Sequence, residues 1–366
     1  MKFRRLMVVA LVAVLALALI PATTAQDMTP VRIVLKWVTQ AQFAGYYAAA
    51  DQGYFEEEGL DAEIIAAGVD ISPLQLVAAG DAELGINWSG GLMSARDAGE
   101  DLVIISQVFQ TSGMRQITWA DTGLDAFDEM AGLTVGVWPG ENALPTFAAL
   151  RSVGLDPENP DDVNVIGQAF DMNAFLDREI DAASAMTYNE LAQVLETADD
   201  GELIYSLADL NVLDFNENGT AMLEDHIFAR ADWLAENEET TIAFLRASAR
   251  GWAYCRDNAD ACVDIVLAQG TALGAGHQTW MMNEINKLVW PSRAGIGIMG
   301  ADAWQQSVDV ALEAGFIEED PGGEGITYRN DLTQAALDSL AADFPDLDLT
   351  GESWEAPEIE IVPGGE

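Results

Sequence analysis

The chain has 366 residues, 16 basic and 61 acidic side chains, and a formal net charge of −45. The length exceeds a typical domain of about 100–200 residues, so two lobes are expected. A hydrophobic fraction of 50% can fill a large core, which excludes a chain disordered throughout. The acidity excludes an ordinary binder of nucleic-acid phosphates and disfavours docking on anionic lipid, but leaves the sign of a local cleft open.

Residues 1–26 read as a secretory signal peptide. Lys2, Arg4 and Arg5 form a basic start, Leu6 to Ile20 is an unbroken apolar run, and Pro21 precedes the small residues Thr23-Thr24-Ala25. The run is short of the ~20 residues a membrane-spanning helix needs, so cleavage near Ala25 is expected; a retained anchor is the alternative. No cysteine lies near that point, so a lipoprotein is not expected. The mature protein is expected in the periplasm or outside the cell.

Beyond residue 30, short apolar strands alternate with helical stretches. Strands are expected at 31–37, 60–65, 83–88 and 102–109. Helices are expected at 43–52, 73–79 and 92–98. A second unit starts near residue 121. Its strands are expected at 133–138, 162–166, 182–186 and 203–206, with helices near 144–153, 175–178 and from 189. The remainder reads as helical. Ile242, Leu245, Ala249 and Trp252 share one helix face, and further helices are expected near 278–290, 302–314 and 331–342. The order implies an α/β fold with two mostly parallel sheets flanked by helices. In such folds ligands bind beyond the carboxyl ends of strands.

Cys255 and Cys262 are the only cysteines. On one straight helix they would lie about 10 Å apart, too far for a disulfide. A turn between two helices would bring them within reach, and an exported compartment permits the bond. Two buried thiols are the alternative. With His226 and His277 as the only histidines, no metal site is expected.

The run Lys36-Trp37-Val-Thr-Gln-Ala-Gln-Phe-Ala-Gly-Tyr-Tyr47, followed by Asp51-Gln-Gly-Tyr-Phe-Glu-Glu-Glu-Gly-Leu-Asp61, resembles the start of periplasmic substrate-binding proteins of ABC importers. The branch is the one related to the fungal thiamine-pyrimidine synthase. The likeness continues through Gln75–Ile86, Leu133–Trp138, Phe170–Asn173 and Asp181–Glu190, where Tyr188-Asn189-Glu190 looks like the branch that binds either pyrimidine precursors of thiamine or riboflavin itself. The resemblance implies a two-lobed, type II-like binding protein. Lobe 1 would comprise 27–117 and 226–345, lobe 2 would comprise 118–225, and 346–366 would be an extended tail. It also implies an ABC permease in the cytoplasmic membrane as partner, a small heteroaromatic ligand and a monomeric receptor without cofactor.

The candidate ligand contacts follow from strand ends and from that likeness. Trp37, Trp88 and Trp138 sit at strand ends, and Phe43 and Tyr46 begin the first helix; aromatic rings can stack on a flat heterocycle. Gln40, Gln42, Asp171, Asn189 and Glu190 supply donors and acceptors, with Tyr188 beside them. Ser89, Gly90 and Asn142 lie at helix starts, where backbone N–H groups could hold a polar group or simply be capped. Trp119 is expected near a hinge. Trp233, Trp252, Trp280, Trp290 and Trp304 are expected to pack on helices. A sulfonate- or nitrate-type anion receptor is a further alternative, weakened by Glu141. An enzyme like the fungal synthase is disfavoured: Gln42 stands where a histidine would be sought, and there is no cysteine cluster. A Gly-x-Ser-x-Gly elbow and phosphate-binding glycine loops are also lacking.

Overall fold

The structure, a computed structural model, describes residues 28–270 and 273–365; the expected signal peptide and its cleavage point lie outside them. In chain order the first strands are β1 (Thr29–Val34), β2 (Leu60–Ile65), β3 (Leu84–Asn87) and β4 (Leu102–Gln107). Next come β5 (Met114–Trp119), β6 (Thr134–Val137), β7 (Asn164–Gly167) and β8 (Ala182–Met186). A small hairpin, β9 (Ala198–Asp199) and β10 (Glu202–Leu203), precedes β11 (Leu210–Asp214) and β12 (His226–Arg230). They form two five-stranded sheets, ordered β2-β1-β3-β12-β4 and β11-β5-β8-β6-β7.

Each sheet is parallel except for one strand. β12 lies antiparallel between β3 and β4. β5 lies antiparallel between β8 and β11. These two strands carry the chain into lobe 2 and back into lobe 1, so the segments 108–113 and 215–225 link the sheets. The links are tied to each other. Ser112 Oγ and Gly113 N donate to the buried Glu224 carboxylate at 2.5 and 3.0 Å, and Asn216 Nδ2 donates to Ser112 O at 2.9 Å.

The crossing strands were not among the expected elements. β5 reads Met-Arg-Gln-Ile-Thr-Trp, with Gln116 and Thr118 fully buried. Lobe 2 tolerates them because each is bonded: Gln116 donates to Gly136 O and accepts from Thr146 Oγ1, and Thr118 donates to Leu124 O. The strand expected at 203–206 shrinks to the hairpin arm Glu202–Leu203. Trp119 lies not at a hinge but inside lobe 2, stacked on Phe175 at 4.7 Å between centroids, with its Nε1 donating to Phe175 O.

The helices follow local rules. The helix α1 (Ala44–Asp51) packs on the long helix of the C-terminal region, Glu238–Asp257. The helix α2 (Pro73–Ala79) starts with Ser72 accepting from Gln75 N and a proline in its first turn. It stops at Gly80, which takes the left-handed conformation that glycine adopts cheaply. The helix α3 (Ser89–Asp97) follows β3, and α4 (Leu144–Ser152) follows β6 by way of a turn at Gly140–Ala143. The helix α5 (Glu190–Leu195) follows β8. The C-terminal helices are α6 (Glu238–Asp257), α7 (Ala259–Gln269), α8 (Ala275–Val289), α9 (Ala301–Glu313) and α10 (Asn330–Asp343). The break between α6 and α7 at Asn258 brings Cys255 and Cys262 into a disulfide, with Cα atoms 5.4 Å apart.

The α1–α6 crossing explains the first family-like block. A Cβ on Gly251 would strike the Gly45 carbonyl, and one on Gly45 would strike the Trp252 ring. The two glycines therefore let the helices touch backbone to backbone. Tyr46 meets Trp252 edge-on at 5.6 Å, and Phe43 and Tyr46 are buried.

The helix α8 touches both lobes. Its Gln278 accepts from Ala41 N on lobe 1 at 2.7 Å, and its Trp280 Nε1 donates to Thr187 O on lobe 2 at 2.9 Å. The last stretch has Leu349 and Gly351 buried, and Ile359 and Ile361 pack on the lobe 2 core. Among the described residues no helix is long and apolar enough to cross a membrane.

Candidate functional site

A cavity of about 470 Å³ lies between the lobes, beyond the ends of β1, β3, β6 and β8. Lobe 1 supplies Lys36, Trp37, Gln40, Gln42, Asn87 and Trp88, with Gly68, Val69 and Ile71 to Leu74 along the rim. Lobe 2 supplies Trp138, Pro139, Glu141, Asn142, Phe170, Met186, Tyr188, Asn189 and Glu190. Of the candidate contacts, nine line this cavity: Trp37, Gln40, Gln42, Trp88, Trp138, Asn142, Tyr188, Asn189 and Glu190.

The other five lie elsewhere. Phe43, in the turn just before α1, and Tyr46, within α1, fill the lobe 1 core, because that turn and α1 from Ala44 to Ala49 are buried. Ser89 is buried and donates to Leu223 O at 2.9 Å, fastening α3 to the returning link. Gly90 faces Glu141 and Leu144. Asp171 is exposed and its carboxylate accepts from Asn173 N, an ordinary turn.

The lobe 1 floor is a bonded chain. Gln40 Nε2 donates to Gln42 Oε1 at 2.6 Å, and Gln42 Nε2 donates to Asp225 Oδ2 at 2.7 Å. Trp88 Nε1 donates to the other oxygen, Asp225 Oδ1, at 2.8 Å. One buried carboxylate thus sets the ring plane of Trp88 and the amide of Gln42. Burial pushes the Asp225 carboxyl up to about 6, against the opposing pull of those bonds and of Lys36. The next residue, His226, is held down to about 3 by burial and by Lys36, so its ring is neutral.

The aromatic walls meet across the cleft. Phe170, on the loop after β7, sits 4.9 Å from the Trp37 ring and 6.1 Å from the Trp138 ring, nearly parallel to the latter. Trp138 is itself fixed by donating to Ala169 O at 3.2 Å. At the far end lies the lobe 2 polar group. Glu190 is buried and accepts from Met186 N at 3.0 Å and from Asn189 Nδ2 at 2.6 Å. Burial raises its carboxyl to about 7. Asn189 Oδ1 meets His277 Nε2 of α8 at 2.9 Å, and His277 Nδ1 pairs with Glu196 at 2.9 Å. Asn142 Oδ1 is buried without a partner and stands ready to accept a hydrogen bond.

Lys36, Glu141, Phe170 and Asp225 were absent from the sequence-derived set. Phe170 stands within the family-like block, and Lys36 is one of only three lysines, so both carried a signal. Asp225 carried none, since its partners are remote in sequence. Among the described residues no group of three or more His, Cys, Asp or Glu is placed to hold a metal ion.

Residues 40–261 match the model of a family described as NMT1/THI5 like. The formylaminopyrimidine-binding protein of Halalkalibacterium halodurans is 26% identical over 265 residues, covering 70% of this chain and 76% of the relative. The riboflavin-binding protein RibY of Chloroflexus aurantiacus is 25% identical over 313 residues, covering 81% of this chain and 84% of the relative. Among solved structures, the periplasmic aliphatic sulphonate binding protein SsuA from Escherichia coli superposes with a TM-score of 0.63 at 15% identity, covering 80% of this chain and 94% of the other. The two mixed, mostly parallel sheets have the fold of type II periplasmic binding proteins.

Proposed function

The chain belongs to the NMT1/THI5-like family, and from that premise we propose that it is an extracytoplasmic solute receptor, not an enzyme, which passes its ligand to an ABC permease in the cytoplasmic membrane. Its ligand is a pyrimidine precursor of thiamine. One observation carries this reading: aromatic walls from both lobes, Trp37 with Trp88 and Trp138 with Phe170, end at an unpartnered acceptor and a carboxyl of raised affinity for protons. Flat rings gain stacking area there at little entropic cost. A ring amine finds an unpartnered acceptor in Asn142. Asn189 and Glu190 are already bonded, to His277 and to Met186 N, and fix the wall beside it; the glutamines of lobe 1 complete the edge. Closure of the lobes then selects the form that the permease engages. The name of the formylaminopyrimidine-binding relative supports the same ligand class.

Riboflavin is the second reading. The match to RibY runs over more of the chain, and a cavity of about 470 Å³ falls within the range of about 300–1,000 Å³ typical of drug-sized ligands. Native mass spectrometry of the protein purified from its producer separates the two. A released pyrimidine supports the first reading, and a released flavin replaces it with the second. An empty protein that then binds neither compound by calorimetry overturns both.

A further inference from the structure

Two segments remote in sequence, the end of β1 and the turn before α4, meet across the cleft at a charged contact that the ligand reading does not use. Lys36 Nζ of lobe 1 donates to Glu141 Oε1 of lobe 2 at 2.6 Å and to Asn87 Oδ1 at 2.9 Å. The other Glu141 oxygen accepts from the backbone N–H of Gly91, in the first turn of α3. The carboxylate of one lobe is therefore inserted between the ammonium and the helix start of the other.

The local sequence makes room for it. A Cβ on Gly90 would come within 2.9 Å of Glu141 Cβ, and one on Gly91 within 2.7 Å of Glu141 Oε2. A side chain at either position would crowd Glu141, and one at Gly91 would also meet Asn87 Nδ2 at 2.5 Å. The Glu141 side chain is mostly buried, at 13% exposure against 21% for Lys36, so the pair is shielded from bulk salt more than a surface pair would be. Among the described residues Lys36 is also the only lysine lining the cavity.

We propose that Glu141 sets the charge of the solute this cleft accepts, by taking the place that an anionic group would fill. With Glu141 inserted, Lys36 and the Gly91 N–H are satisfied, and a second anion meets a carboxylate in its way. A neutral or weakly basic solute meets no such cost. The same contact joins the lobes whenever the cleft is closed, so the receptor carries its own counter-anion to that step. This deepens the receptor reading and rests on the cleft being the ligand site.

The test uses methanesulfonate as a small anionic probe, with calorimetry at low ionic strength on the mature wild type, Glu141→Ala, Glu141→Gln and the Lys36→Met/Glu141→Ala double variant. Circular dichroism melting confirms that each is folded. Wild type is expected not to bind the probe. Glu141→Ala is expected to bind it measurably, about tenfold or more tighter than the weakest affinity the titration of wild type could have detected, equivalent to ~1.4 kcal/mol. The double variant is expected to lose that gain. Glu141→Gln keeps the bulk but not the charge, and is expected to gain less than Glu141→Ala. Binding of methanesulfonate by wild type, or a folded Glu141→Ala that gains none, overturns the proposal. The readout needs no native ligand. A gain in Glu141→Ala together with failure of pyrimidine and flavin to bind wild type would strike the ligand reading and leave this one standing.

Discussion

The two faces of the cleft are built differently. On lobe 1, Gln40, Gln42 and Trp88 are joined through Asp225, and the helix behind them is pressed onto α6 through Gly45 and Gly251. On lobe 2, Phe170 is exposed on a loop, Asn142 Oδ1 has no partner, and Glu190 holds its proton up to about 7. One face is a satisfied platform, and the other keeps one open acceptor, at Asn142, beside an exposed ring. A receptor that must discriminate and then release gains from that division: the platform fixes the ring plane, and the open face pairs with the ligand edge as the lobes close.

The largest effect expected breaks the platform. Gly251→Val would drive a branched side chain into the Gly45 carbonyl, where neither backbone can retreat. A loss of about 3 kcal/mol or more is expected, read as a large drop in melting temperature or failure to fold. An unchanged melting curve would mean that the helices are not held at this distance.

Next comes the floor itself. Asp225→Ala leaves the Gln42 amide and the Trp88 indole N–H without their acceptor, and about 1–3 kcal/mol of stability is expected to go with it. Asp225→Asn keeps one acceptor oxygen and is expected to cost less. Denaturant unfolding of the two variants side by side reads the difference, and equal stabilities would show that the chain of bonds does not matter.

The open face is tested by pH. The Glu190 carboxyl is raised from 4.5 to about 7 by burial, so the folded state binds this proton more tightly than the unfolded state. Its stabilising contribution is full below about 4.5 and is lost as pH rises through 7. Asp225 and Glu224, raised to about 6 and about 7, act in the same direction. His226, held down to about 3, acts the opposite way up to about pH 6.5, but the three raised carboxyls outweigh it. Melting temperature is therefore expected to fall between pH 5 and pH 7.5, and Glu190→Gln is expected to flatten that fall by a few degrees, with Asp225 and Glu224 keeping a residual slope. An identical slope in the variant would mean that Glu190 does not hold its proton.

Much of the frame was legible in the sequence. Strands such as β2 and β8 and helix α2 stand where hydrophobic runs and breakers placed them, because the short apolar run of β8, Gly59 before β2, and Pro73 and Gly80 at the ends of α2 read clearly. The crossing strands were not legible. β5 hides Gln116 and Thr118 behind hydrogen bonds to remote partners, and no local pattern announces that. The lining of the cavity was legible where it follows strand ends, as at Trp37, Trp88 and Trp138. Phe43 and Tyr46 lie in the core and off that lining, because a family-like motif at a helix can record a close helix crossing as well as a ligand contact. Glu141 was seen only as an adverse charge; its partner Lys36 lies 105 residues away.

The central claim is that aromatic rings of both lobes hold a flat heterocycle in this cleft. The direct test is calorimetric titration of the mature wild type, Trp37→Ala and Phe170→Ala with formylaminopyrimidine and with riboflavin. One of the two is expected to bind wild type one to one. Trp37→Ala is expected to weaken it by about tenfold or more, in line with ~1–3 kcal/mol for a stacked base, and Phe170→Ala, on the exposed wall, by less. Binding that survives Trp37→Ala undiminished, or no binding of either compound to wild type, would contradict the account.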